Sequence, residues 1–162
     1  GPGLRVTLFV SGCDHYCNGC QNPETWDTKS GIPFDNTAIE EIFKQLDNDY
    51  ISGITFSGGD PLNENNRVEV CSLISKIKSR YGNSKSIWIY TGYTWNEIIE
   101  EAFPILTDIL LNTNVIVDGM FQKDLADVNY HWAGSTNQRV IDVQRSLEEK
   151  KIVLYKDGIN ND

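Results

Sequence analysis

Basic residues and long apolar runs are both scarce in this 162-residue sequence. Lys and Arg number 14 against 23 Asp and Glu, so the formal net charge is −9. Such an acidic surface repels the phosphate backbone of nucleic acids. No apolar stretch in the sequence approaches the ~20 residues of a transmembrane helix, and its start lacks the pattern of a secretory signal. We therefore expect a soluble protein with no nucleic-acid partner and no membrane partner.

Cysteine is also scarce, and its four copies are unevenly placed. Three lie within residues 13–20, whereas Cys71 stands alone. A disulfide framework is disfavoured, because Cα separations in so short and crowded a loop rarely suit two bridges. Clustered, reduced thiols indicate a metal site and predict a cytoplasmic location, where thiols stay reduced.

Apolar residues alternate between strand-like and helical spacing, as expected of a single domain over residues 1–162. The spacing predicts strands at 5–11, 53–57, 87–91, 114–118, 139–143 and 152–155. It predicts helices at 37–48, 70–81, 94–103, 105–111 and 144–150, two of which begin with the capping boxes Thr37/Glu40 and Thr94/Glu97. This order predicts an α/β fold with a mostly parallel sheet, open or curved into part of a barrel. Functional loops would gather at the carboxyl ends of the strands.

The spacing Cys13-x3-Cys17-x2-Cys20 places three thiolates on the loop that leaves the first strand. Thiolates select zinc, copper(I) or iron–sulfur clusters, and a structural zinc ion normally has four ligands. Neither possible fourth donor closes the site: His15 is confined between two ligands, and Cys71 falls on the apolar face of a helix. The remaining interpretation is a [4Fe-4S] cluster with one open iron, where chemistry can occur. A zinc-stabilised protein-interaction module is the alternative from these residues.

A second candidate segment, Ser57-Gly58-Gly59-Asp60, leaves the second strand. Its small residues let a ligand approach the backbone, and Asp60 provides a carboxylate at the rim that could hold an ammonium group. These residues also favour a plain turn, but their position beside the cysteine loop favours binding. Thr91, at the exit of the third strand, is the weakest candidate.

Several longer stretches resemble a known family. The cysteine spacing with a later Gly-Gly-Asp-Pro resembles the radical S-adenosylmethionine (SAM) superfamily. A wider set resembles the activating enzymes of anaerobic (class III) ribonucleotide reductases, and it comprises residues 1–5, 8–13, 17–20, 22–26, 57–62, 87–93, 117–119 and 134–139. The resemblance covers nearly the whole chain, which is too short for the inserted domain or longer barrel of larger activases.

This resemblance implies a partial, open (β/α) barrel of the radical SAM type. It implies that Cys13, Cys17 and Cys20 bind a [4Fe-4S] cluster whose fourth iron is chelated by SAM. One-electron cleavage of SAM would give a 5′-deoxyadenosyl radical that takes a hydrogen from a glycine of the partner, the large subunit of the anaerobic ribonucleotide reductase. Reduced flavodoxin is the implied electron donor. The implied SAM contacts are Gly19, Cys20, Gln21, Ser57, Gly58, Gly59, Asp60 and Thr91.

The sequence also departs from the wider pattern. Gly19 stands where many superfamily members have an aromatic residue, so the implied adenine contacts come from the backbone around it. Family members usually carry further residues before the Gly-Pro-Gly motif, so we expect a chain trimmed at its start. Residues 143–162 match less clearly and receive no role. An activase of another glycyl radical enzyme, such as formate acetyltransferase, shares the chemistry but should have a longer chain.

Four further residues receive interpretations outside the predicted site. We interpret His15 as an exposed loop residue rather than a group that tunes the cluster. Trp26 and Trp88 are interpreted as packing residues, since large aromatic side chains dominate protein cores. For Arg139, contact with a carboxylate of SAM and a surface ion pair both remain open.

Overall fold

A computed structural model describes residues 1–101 and 103–156, and it has an α/β architecture. In these residues the strands are β1 (Leu4–Val10), β2 (Ile51–Gly58), β3 (Ser86–Tyr90), β4 (Val115–Asp118) and β5 (Arg139–Asp142). The helices are α1 (Asn36–Leu46), α2 (Arg67–Tyr81), α3 (Trp95–Glu101), α4 (Pro104–Asn112) and α5 (Val143–Glu149). None of the helices described has the length and apolarity needed to cross a bilayer.

The five strands form one sheet in the order β1-β2-β3-β4-β5. Strands β1 to β4 are parallel to one another, and β5 runs antiparallel to β4. The predicted α/β fold with a mostly parallel sheet is therefore confirmed. The carboxyl ends of β1 to β4 share one edge of the sheet with the start of β5, so the loops at 11–35, 59–66, 91–94 and 119–138 meet there.

The two faces of the sheet carry cores of different size. Alternate strand residues, such as Phe56 on β2 and Ile89 on β3, pack with the helices in the main core. The intervening side chains point to the other face. There Trp88, Val115 and Val117 belong to a smaller cluster. This buried position of Trp88 agrees with its interpretation as a packing residue.

Of the two predicted capping boxes, the one at the start of α3 is present and the one at the start of α1 is not. The box at the start of α3 is confirmed: Glu97 N donates to Thr94 Oγ1 at 3.2 Å, and Thr94 N donates to Glu97 Oε2 at 2.7 Å. The Thr37/Glu40 box is wrong. Asp35 caps α1 instead, accepting from Ala38 N at 3.0 Å, because the helix begins one residue earlier than predicted and places Thr37 inside its first turn.

The predicted strand at 152–155 is wrong as an extended element. It is reduced to a single antiparallel bridge between Leu154 and Ile141, beside which Tyr155 N donates to Val140 O at 2.9 Å. Strand β5 is only four residues long before α5 begins, so it offers little edge for another strand.

Candidate metal centre

An open cavity of about 240 Å³ lies at the carboxyl edge of the sheet. The predicted site residues that line it are Cys13, Cys17, Cys20, Gln21, Ser57, Gly58, Gly59 and Thr91. Gly19 and Asp60, both among the described residues, lie outside this lining. The cavity thus brings the cysteine loop together with the exits of β2 and β3, as expected for neighbouring parallel strands.

The cysteine loop folds back on the segment that follows it. Gly12 N donates to Thr25 O at 2.6 Å, and Cys13 N donates to Trp26 O at 3.1 Å. Farther along, Cys20 N donates to Cys17 O at 3.1 Å and closes a tight turn. These backbone bonds curl the chain so that all three thiols line one cavity.

Gly59 allows the loop after β2 to pack directly on the cysteine loop. Its N–H donates to Val10 O at 2.7 Å, and Asp60 N donates to Gly12 O at 2.8 Å. A Cβ on Gly59 would lie 2.6 Å from Gly12 O, closer than such atoms can approach. The space left by the missing side chain is therefore occupied by the cysteine loop.

Asp60 is buried beneath the cavity, so the expectation that its carboxylate lies at the rim is wrong. Its side chain is 1% exposed. One oxygen accepts from Leu62 N at 2.9 Å and from Thr91 Oγ1 at 2.9 Å, and the other accepts from Gly92 N at 3.0 Å. The second oxygen also contacts His15 Nε2 at 2.6 Å. The loop after β2 turns inward here, and the carboxylate is committed to partners within the protein.

His15 is largely shielded from solvent, so its interpretation as an exposed loop residue is wrong. Its side chain is 12% exposed, and its ring meets the Tyr93 ring edge-on with centroids 4.6 Å apart. The hydrogen bond to Asp60 raises the pKa of His15 above its usual value. Sequence spacing gives no signal for this contact, because the two partners lie 45 positions apart on different loops.

Two of the three thiols, Cys13 and Cys17, are harder to ionise than an ordinary cysteine. Burial raises the pKa of Cys13 to about 11, and burial also raises the pKa of Cys17. A thiolate in this environment needs a nearby positive charge, and a bound metal supplies one while displacing the proton.

Donor spacing distinguishes a single ion from a cluster. Two thiolates on one zinc ion lie no more than about 4.6 Å apart, since each Zn–S bond is ~2.3 Å. In the part of the chain that the structure describes, the only set of three potential ligand atoms within 4.8 Å of one another is that of Cys13, His15 and Asp60. His15 and Asp60 are bonded to each other, so this set does not suit an ion. The sulfur atoms of Cys13, Cys17 and Cys20 do not all lie within 4.8 Å of one another, which fits the wider ligand spacing of a multi-iron cluster better than a single ion.

Trp26 lines the same cavity, and sequence reasoning missed its polar group. Its indole Nε1–H is buried and has no hydrogen-bond partner among the residues described. The Tyr16 ring packs edge-on against it at 5.1 Å. A buried donor without an acceptor is uncommon, and the sulfur atoms of an iron–sulfur cluster are acceptors. Three thiols and this donor fit such a group.

Arg139 forms an ion pair rather than projecting into the cavity. Its Nη2 lies 2.6 Å from Asp118 Oδ2, and its Nε lies 3.1 Å from Asp118 Oδ1. Of the two interpretations left open by the sequence, the ion pair is the one present, with the buried Asp118 side chain as its acceptor.

This site and fold define an iron–sulfur domain: a family model described as "4Fe-4S single cluster domain" matches residues 1–141. The chain is 41% identical over 140 residues to the anaerobic ribonucleoside-triphosphate reductase-activating protein of Enterobacteria phage T4, covering 86% of this chain and 85% of the relative. It is 42% identical over 142 residues to the protein of that name from Escherichia coli K12, covering 86% and 89%. The chain therefore belongs to the family of anaerobic ribonucleoside-triphosphate reductase-activating proteins. No solved structure matches it significantly.

The resemblance seen in the sequence is thus confirmed at the level of the family. A relative from Pasteurella multocida with the same name is 39% identical over 140 residues, covering 85% of this chain and 87% of the relative. The 4Fe-4S family match favours a cluster over the zinc-stabilised interaction module.

Proposed function

We propose that this protein is a radical SAM activase that generates the glycyl radical of the anaerobic ribonucleotide reductase. Cys13, Cys17 and Cys20 would hold three irons of a [4Fe-4S] cluster and leave the fourth iron to SAM. The observation that carries this proposal is the meeting of these thiols with Ser57–Gly59 and Thr91 in one cavity. Four parallel strands in chain order support a partial (β/α) barrel of the radical SAM type. The names of the relatives support the reductase as the target.

The chain's own residues would bind, orient and shield the reactants. When bound, the cluster would supply one electron to the sulfonium of SAM, breaking a carbon–sulfur bond to release methionine and a 5′-deoxyadenosyl radical that takes a hydrogen atom from the target glycine. The small residues Ser57–Gly59 would hold the methionine end, and the backbone at residues 19–21 would hold the adenine. Tyr90 and Phe121 line the cavity and would limit access of water to the radical.

The target glycine would reach the site on a loop of the reductase. The cavity, at about 240 Å³, is small and open, so this chain alone would leave part of a bound SAM uncovered. Docking of the reductase would complete the enclosure. Reduced flavodoxin in the cytoplasm is the proposed electron donor, and a chemical reductant can replace it in a test.

The test compares two cysteine variants after anaerobic reconstitution with iron and sulfide. With SAM and a reductant, the native protein should form 5′-deoxyadenosine, and with the reductase it should form a glycyl radical detectable by electron paramagnetic resonance. Cys17→Ser should lose both products. Cys71→Ser is the matched control. It should retain both products, because Cys71 belongs to α2 and packs against the main core, outside the lining of the cavity.

Two results would contradict the proposal. One is the absence of a glycyl radical signal from the native protein under strict anaerobiosis. The other is an equal signal from Cys17→Ser. Parallel reactions with formate acetyltransferase in place of the reductase test the target, and a stronger signal there would assign the protein to the other activase class.

A further inference from the structure

Asp60, His15, Thr91 and Gly92 form a largely buried group, here called the Asp60 cluster, that joins three loops at the cavity. We infer that His15 is a positioning residue: through Asp60 it fixes the cysteine loop against the loops that leave β2 and β3. This inference rests on the proposed function and adds the means by which the metal-binding and SAM-binding parts of the site keep one geometry.

The hydrogen bond between His15 and Asp60 is short and protected. Nε2 lies 2.6 Å from Oδ2, an oxygen that also accepts from Gly92 N, and in the tautomer or protonation state with a hydrogen on Nε2 the ring donates to it. Water has little access to this bond, because the His15 side chain is 12% exposed and the Asp60 side chain is 1% exposed, and a hydrogen bond is stronger in such surroundings. The bond therefore holds one position of the loop rather than several.

Gly92 brings the third loop into direct contact with the same two side chains. Its N–H donates to Asp60 Oδ2 at 3.0 Å, the oxygen that also accepts from His15. A Cβ at this position would overlap the His15 ring, so only glycine lets the ring lie against the backbone. Thr91 Oγ1 adds a bond to the carboxylate at 2.9 Å. A shift of the cysteine loop would thus disturb the exit of β3 as well.

A neighbouring contact cannot replace the His15 bond. Asn63 Nδ2 donates to Asp14 Oδ2 at 3.0 Å and also ties the cysteine loop to the segment after β2. Asp14 is exposed, so water competes for its carboxylate. The His15 side chain, by contrast, is only 12% exposed and also reaches the β3 exit. This difference makes His15 the residue that sets the position of the loop relative to Thr91 and Gly92.

Two substitutions of His15 test the inference, because glutamine and asparagine both carry an amide but differ in the length of the side chain. The amide nitrogen of His15→Gln falls near the place of Nε2 and can still donate to Asp60. The amide of His15→Asn falls near the place of Nδ1 and is too short. In metal-free protein, amide hydrogen exchange at Gly92 and across residues 13–20 should be about tenfold faster in His15→Asn, as expected when a hydrogen bond shielded from water is lost. In His15→Gln it should stay within about threefold of native.

The same pair is then measured after iron–sulfur reconstitution. Both variants should bind iron as the native protein does, since the three thiols are unchanged. The KM for SAM should rise about tenfold in His15→Asn, with a smaller change in kcat, because the loss falls mainly on binding geometry. His15→Gln should rescue the KM.

Three outcomes would overturn the inference: no change of exchange in His15→Asn, equal impairment of both variants, or loss of iron binding in both. Equal impairment would mean that the ring, and not its hydrogen bond, matters. If the native protein fails to cleave SAM, the proposed function fails, whereas the exchange difference between the two variants still tests the role of His15.

Discussion

Asp60 and Asp118 are buried to the same extent at the carboxyl edge of the sheet, but they are held differently. Each side chain is 1% exposed. Asp118 pairs with the guanidinium of Arg139 on the adjacent strand. Asp60 accepts hydrogen bonds from side chains and backbone of three loops and has no arginine or lysine partner among the described residues. The comparison indicates that sheet stability and site geometry depend on separate carboxylates.

The largest expected effect is a loss of folding stability when the ion pair between Asp118 and Arg139 is broken. Arg139→Ala leaves a buried carboxylate with only backbone donors, such as Trp95 N at 2.7 Å. We expect the free energy of unfolding to fall by about 3 kcal/mol, the low end for breaking a buried ion pair, because Arg139 is 38% exposed. For a chain of this size the melting temperature of metal-free protein should drop by about 6 to 12 °C.

The control for this variant is Arg145→Ala, which removes an exposed pair with Glu149. It should change the free energy of unfolding by no more than about 0.5 kcal/mol. Chemical denaturation with circular dichroism measures both variants. Equal stability of Arg139→Ala and the control would remove the structural role assigned to Asp118.

A smaller loss of folding stability is expected from a substitution in the Asp60 cluster. Gly92→Ala places a methyl group where the His15 ring lies, and overpacking of this kind costs about 2 kcal/mol. The double variant Gly92→Ala/His15→Ala removes the ring and should recover part of the loss from the methyl group. Denaturation of the single and double variants measures this coupling, and strictly additive losses would contradict the contact.

The smallest expected effect is a change in the reduction potential of the cluster when the indole of Trp26 is replaced. Trp26→Phe keeps the backbone acceptor for Cys13 N but removes the buried indole donor. A hydrogen bond of about 1 kcal/mol to a cluster sulfur favours the more negative reduced state, so its loss should lower the reduction potential by about 40 mV. Redox titration followed by electron paramagnetic resonance measures the shift. Tyr16→Phe is the control, and an unchanged potential in Trp26→Phe would exclude the bond.

The order of the elements and the meeting of the loops could be predicted from sequence, whereas the side-chain partners at the site could not. Alternating periodicities located the strands, and parallel strands bring their exits to one edge whatever the loops contain. The capping box at Thr94 is local, and its motif predicted the cap correctly. The equally local Thr37/Glu40 motif failed, because Asp35 starts the helix one residue earlier and takes over the cap. The contact of His15 with Asp60 depends on the backbone path of two loops, and no local pattern encodes that path. The burial of Asp60 follows from the same path.

Covalent order and spatial order coincide in β1 to β4. Each strand exit therefore contributes an independent segment to the same edge, away from the helices that cover the main core. Insertions in those segments could enlarge or reshape the site one piece at a time while the folding unit beneath them stays intact. Length differences among relatives are accordingly expected to concentrate at this edge, where new targets can be accommodated with little loss of stability.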